Sequence, residues 1–164
     1  MSEPDTFVLP DGFVFTVRSV GRTITEGDFS AMTNLTWTFE EIHTNRIHVE
    51  QTMHHERMLA GACIVAFALG IATPAIKPPL KERGVRLIAL VGYEGIRFRS
   101  PLFPGDTIYV DSALLRILRT SKSDRGVICF HDAVSDHEGR VIAEYERRAL
   151  CDVSVARLDG RSTL

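Results

Sequence analysis

"GACIVAFALGIA", Gly61 to Ala72, is the one segment of this chain that is apolar on every side. A helix without a polar face has to be wrapped by protein, and Pro74, Pro78 and Pro79 are expected to mark its end. A bilayer span needs about 20 apolar residues, so this shorter run reads as the central element of a soluble fold. Downstream, from Gly84, the sequence changes character. "GVRLIALVGY", "EGIRFRSPLF", "TIYVDSALLRIL", "GVICFHDAVSD" and "RVIAEYERRALCDVSV" are rich in β-branched and aromatic residues. Turn signals separate them at Pro104-Gly105-Asp106, Ser123-Asp124-Arg125-Gly126 and His137-Glu138-Gly139. Short turns between the last three runs imply an antiparallel meander.

Upstream, "FVFTVRSV", Phe13 to Val20, has strand composition. Thr25 then caps a helix whose first turn carries Glu26 and Asp28, and Phe29, Met32 and Leu35 fall on one face of it. "NRIHVEQTMHHERML" reads as a short helix ending near His55, with Ile47 and Met53 partly inward. The order is one strand, a helical stretch with a buried helix, then about four long strands. This is an α+β arrangement with an antiparallel sheet packed around a central apolar helix.

The 164 residues form one domain, 1–164, with residues 1–10 and 156–164 expected as flexible tails. A formal charge of -2 argues against nucleic acid as the main partner, because phosphate binding requires a concentrated excess of Lys and Arg. Cys63, Cys129 and Cys151 are an odd count set in apolar sequence, so they read as reduced core residues of a cytoplasmic protein. The acidic start "MSEPDTFVLPDG" is not a secretory signal, and no membrane association is expected.

"IRFRSPLFPGDTIYVDSALL" (Ile96 to Leu115), "RMLAGACIVAFALGI" (Arg57 to Ile71) and "RTITEGDFSAM" resemble the hot-dog fold of the MaoC-like acyl dehydratases, or (R)-specific enoyl-CoA hydratases. That resemblance implies addition or removal of water at an enoyl or 3-hydroxyacyl thioester, with acyl-coenzyme A as substrate and no separate cofactor. It also implies a homodimer, or a multiple of one, paired through an otherwise bare sheet edge. In the family an overhang after the first helix carries an Asp, an Asn-Pro pair and a His. The His falls on His43, whereas the Asp position holds Thr38 and the Asn-Pro positions hold Glu40 and Glu41. The family's helix-opening glycine corresponds to Gly61.

Hydration needs a base for water, a proton for the α-carbon and donors for the thioester oxygen. The imidazole of His43 suits the first role, since histidine accepts protons near neutral pH. Glu40, three residues away, is the nearest substitute acid. Thr38 cannot supply a carboxyl proton but could hold a water or orient His43. Gly61, at a helix N-terminus with unpaired N–H groups, suits the oxyanion role. In an extended segment Glu41 would share the His43 face, while Trp37 and Phe39, with Phe67, could line an acyl tunnel or pack in the core. Arg97, Arg99 and Arg116 are candidates for the phosphates of coenzyme A. His48, His54 and His55 read as surface or interface residues, and with no HExxH-type pattern no metal is expected. Two alternatives stay open beside the hydro-lyase: a non-catalytic acyl-thioester-binding or partner subunit, and a hot-dog thioesterase using Glu40 or Glu41.

Overall fold

The computed structural model describes residues 5–158. The elements run β1 (Thr16–Arg18), β2 (Arg22–Thr23), α1 (Glu26–Leu35), α2 (Glu41–Thr44), α3 (Arg46–Val49), α4 (Gly61–Glu82), β3 (Arg86–Phe98), β4 (Thr107–Arg119), β5 (Arg125–Asp136) and β6 (Val141–Asp152). All strands pair antiparallel in one sheet of order β1-β4-β5-β6-β3, with β2 also on β4. The β4-β5-β6 meander is the one the short turns require. At Pro104-Gly105-Asp106 the chain reverses with Gly105 at φ 95°, which only glycine adopts without strain, and the Asp106 carboxylate accepts from the Phe103 N–H.

α4 lies against the sheet, and its fully buried residues Cys63, Ala68, Ala72, Ile76 and Leu80 form the contact stripe. Its first half joins Ile24, Phe29, Ile108, Val110 and Val134 in one apolar cluster, and its second half joins Phe7, Phe13, Leu114, Ile117 and Ile128 in another. Between the two runs a polar seam. The Asp132 carboxylate accepts from Arg147 Nε at 2.6 Å and from Ser112 Oγ at 2.7 Å, and Arg147 Nη1 reaches Thr73 Oγ1 at 3.4 Å.

Several expectations require correction. The central helix does not stop at Pro74 but continues through Pro74, Pro78 and Pro79 to Glu82. Each proline forfeits one i→i−4 hydrogen bond, yet Ile76 and Leu80 extend the buried stripe over the second cluster, and that packing outweighs the loss. At 22 residues α4 is also long and apolar enough to cross a bilayer by length, although its core face is already spent on the sheet. The first strand covers only Thr16–Arg18, because Phe13 turns into the core instead of continuing the ladder. "GVRLIALVGY" and "EGIRF" are one bulged strand, β3, rather than two.

α1 is capped as expected, with Thr25 and Asp28 satisfying each other's backbone N–H groups. Its buried residues are Phe29 and Thr33, however, and Leu35 is exposed. The stretch after the overhang forms only the single turn of α3, with Val49 inward and both Ile47 and Met53 exposed, because one turn can aim just one residue at the core. The expected tails are not free over the described residues. Phe7 is buried and its N–H donates to the Ile117 carbonyl, and Ala156 and Leu158 complete the second cluster. The remainder of those tails, 1–4 and 159–164, lies outside the described residues.

Candidate active site

The entrance to α4 is built by a short extended segment. The Leu59 N–H donates to the Leu102 carbonyl at 2.8 Å, which pins this segment to the loop between β3 and β4. Ala60 then caps the helix without a side-chain hydrogen bond, and the N–H groups of Cys63 and Ile64 both turn back to the Ala60 carbonyl. Those of Gly61 and Ala62 have no acceptor among the described residues. They stand at the positive end of a 22-residue helix, an arrangement that favours negative charge. An added Cβ at Gly61 would meet the Phe98 ring at 2.5 Å, so a side chain here would have to push that half-exposed ring aside.

His43, in α2, is half-buried, and its Nδ1 lies 2.7 Å from the Met58 carbonyl. A carbonyl only accepts, so the proton resides on Nδ1 and Nε2 is left as the basic nitrogen. The bond ties the overhang to the segment that opens α4. His43 and Gly61 consequently line one cleft of about 370 Å³, together with His54, Phe98, Arg99 and Ser100.

The other sequence candidates stand elsewhere. Thr38 does not line this cleft: Thr36 donates its hydroxyl proton to the Met32 carbonyl, so the 2.6 Å contact between the two threonines is a donation from Thr38 to Thr36. Glu40 is exposed and off the cleft, contributing its carbonyl to the His43 N–H. Glu41 accepts from Asn45 at 2.9 Å and faces His48 at 3.4 Å. The segment is helical, not extended, so Glu41 and His43 do not share a face. Trp37 and Phe39 are 79% and 60% exposed rather than lining a tunnel, and Trp37 adopts φ 56°, while Phe67 packs against the first apolar cluster. Among the described residues no cluster of His, Cys, Asp and Glu could hold a metal ion.

His54 and Ser100 belong to the cleft although the sequence singled out neither for this role; both stand in loops whose folding back depends on contacts distant in sequence. Of the three arginines, Arg99 is in the cleft. Arg116 is paired with Glu146. Arg97 is exposed beside Glu144 in the register of β3 on β6.

The wrapped helix, the meander and the cleft at the helix start define a hot-dog domain. No protein-family profile matches the chain. It is 28% identical over 132 residues to the beta-methylmalyl-CoA dehydratase of Chloroflexus aurantiacus, an alignment covering 80% of this chain and 35% of that protein. With Protein MaoC of Klebsiella aerogenes it shares 33% over 90 residues, 54% of this chain and 24% of the relative. The chain thus spans about a third or less of the length of these curated relatives. Among solved structures, the MaoC-like dehydratase from Rhodospirillum rubrum superposes with TM-score 0.71 at 15% identity, over 92% of this chain and 93% of that one. A chain of the C-terminally truncated HadBC (3R-hydroxyacyl-ACP dehydratase) complex from Mycobacterium tuberculosis gives 0.68 at 8%, over 87% and 99%. The resemblance read from the sequence is borne out: the curated relatives are a dehydratase and a MaoC protein, and the solved structures that share the hot-dog fold with this chain include a MaoC-like dehydratase and an (R)-hydratase.

Proposed function

We propose that the cleft adds water to, or removes it from, an enoyl or 3-hydroxyacyl thioester such as an acyl-coenzyme A. The observation carrying this reading is the fixed tautomer of His43 in the cleft that Gly61 opens. In the hydration direction Nε2 takes a proton from water as the water oxygen bonds to the β-carbon. The alkene electron pair moves through the α-carbon onto the thioester oxygen. That developing charge is met by the free N–H groups of Gly61 and Ala62 and by the dipole of α4. The enolate then takes its proton at the α-carbon from the imidazolium, which restores neutral His43. Glu40 has no place in this scheme, since it stands off the cleft.

The test is hydration of a panel of enoyl-CoAs, crotonyl-CoA and longer chains included, by the parent protein, His43→Ala and Glu40→Gln. A general base contributes roughly 10²–10⁴-fold, so His43→Ala is expected to lose that much while Glu40→Gln stays within a few-fold. Turnover indifferent to the His43 change removes the mechanism.

A second reading, a non-catalytic acyl-thioester-binding or partner subunit, is favoured by one observation: among the described residues no carboxylate lines the cleft. Tight acyl-CoA binding without turnover across the panel would select it. In either reading the assembled unit is a pair of copies joined through β3, an edge strand exposing Ile88, Leu90 and Val91. A monomer by size-exclusion chromatography at micromolar concentration would contradict that assembly.

A further inference from the structure

The polar side chains lining the cleft can each donate a hydrogen bond except through His43 Nε2. Beside His43 they are the Arg99 guanidinium, the His54 ring and the Ser100 hydroxyl, with no carboxylate lining the cleft among the described residues. Arg99 is anchored where β3 ends, its N–H donating to the Ile142 carbonyl at 2.8 Å. Its Nε and Nη2 both go to one oxygen of Glu144, which itself does not line the cleft. Nη1 has no acceptor among the described residues, nor do the ring nitrogens of His54 or the hydroxyl of Ser100. Three side-chain donors therefore border one small cleft otherwise walled by apolar groups such as Phe98 and Ile64. Arg99 is 56% exposed, so water serves these groups in the open cleft, and a purely hydrocarbon acyl chain would displace that water without offering any of the three a hydrogen bond.

We infer that Arg99, with His54 and Ser100, binds a carboxylate carried by the acyl group of the substrate. The substrate class is thus an enoyl or 3-hydroxyacyl thioester of a dicarboxylic acid. This rests on the reading of the cleft as a thioester site. Coenzyme A offers a second source of negative charge in its phosphates, but these stand at the far end of the pantetheine arm. Arg99 lines the same cleft of about 370 Å³ as His43 and Gly61, where the reacting carbons would lie. The anion within reach of Arg99 is on the acyl side.

Two pairs of probes isolate the carboxylate, because the members of each pair carry identical phosphates. Fumaryl-CoA has a carboxylate where crotonyl-CoA has a methyl group, and succinyl-CoA relates to butyryl-CoA in the same way. The first pair reads turnover and the second reads equilibrium binding without chemistry. Hydrogen bonds to charged groups contribute about 1.5–3 kcal/mol, so Arg99→Met is expected to reduce the fumaryl:crotonyl ratio of kcat/KM by about ten- to hundredfold. The succinyl:butyryl ratio of affinities should fall similarly, with the crotonyl and butyryl values changed only a few-fold. Using the ratio cancels the different intrinsic reactivities of the two enoyl groups.

Arg99→Met also strips Glu144 of its partner, so Arg99→Met/Glu144→Gln is measured beside it and should show the same loss of preference. His54→Gln, which leaves that pair intact, is expected to show a smaller drop in the same ratio. If Arg99→Met weakens all four thioesters equally, Arg99 meets the phosphates and the inference falls. A parent protein that binds butyryl-CoA as tightly as succinyl-CoA overturns it as well. Succinyl preference lost in Arg99→Met, with no hydration of any enoyl-CoA, would uphold the anion site and sink the catalytic reading instead.

Discussion

Replacing Arg147 by Met tests the packing between sheet and helix at its most exacting point. Arg147 is 2% exposed and Asp132 is fully buried, so neither charge has water to fall back on. Arg147 gives Asp132 two hydrogen bonds, at 2.6 and 3.2 Å, and Ser112 gives a third at 2.7 Å. Methionine fills much of the volume but removes the countercharge, leaving the carboxylate a single hydroxyl partner. Breaking a buried pair in this way costs about 3–5 kcal/mol, a large share of the roughly 5–15 kcal/mol that holds a domain together. For a chain of this size that corresponds to a fall in Tm of about 6–20 °C.

The double variant Arg147→Met/Asp132→Leu removes both charges and should recover most of the loss, falling within about 2 kcal/mol of the parent. Urea denaturation followed by circular dichroism at fixed protein concentration measures both. The sole tryptophan, Trp37, is too exposed to report on the core. A cost below about 1 kcal/mol for Arg147→Met, or a double variant worse than the single one, would refute the reasoning that this pair is indispensable as a pair and dispensable as a motif.

Gly61→Ala places a methyl group against the Phe98 ring, which is half exposed and free to swing outward. The denaturation midpoint should therefore shift by no more than about 1 kcal/mol, because alanine regains 0.5–1 kcal/mol of helix preference, while thioester turnover falls at least tenfold; a loss of stability above about 3 kcal/mol would make Gly61 a packing residue instead. Burial pushes the Cys151 thiol up to about 11. At pH 8 only about one molecule in a thousand then carries the thiolate, so native-state alkylation of Cys151 should proceed no faster than unfolding, and rapid stoichiometric labelling would contradict its burial. The Asp136 carboxylate is held below its usual range, first by the Arg140 guanidinium and then by the N–H groups of Arg140 and Glu138. Its lowered folded-state pKa contributes stability that is complete above the unfolded carboxyl value and lost as pH falls through the folded one. Asp136→Asn should thus be less stable at pH 7 and show a shallower loss on acidification below about pH 5; an unchanged acid limb would show that this carboxylate is not coupled to folding.

Composition and periodicity were enough for the fold class, because one helix apolar all round and a set of β-branched runs joined by short turns have few ways to bury their surfaces. The wrapped helix, the order of the last three strands and the Thr25 cap are local or nearly local decisions, and they were legible. Where the central helix ends was not, since three prolines argue for a stop and only the second apolar cluster, gathered from both chain ends, argues for continuing. The inward pointing of Ile47 and Met53 failed for a related reason: a helix face is buried only where something packs on it.

The candidate site divides along the same line. His43 and Gly61 were readable as candidates from residue type and resemblance. That they share a cleft depends on the Met58 carbonyl and on the Leu59–Leu102 hydrogen bond, contacts that no local pattern encodes. Glu40 and Glu41 are adjacent to His43 in sequence yet stand off the cleft, whereas Arg99, far along the chain, lines it. By itself the sequence determined which segments bury themselves and which side chains were candidates for chemistry. Only the tertiary structure decided which of those side chains meet, because a short helical turn rotates neighbours in sequence onto different faces while sheet pairing brings distant residues to one place.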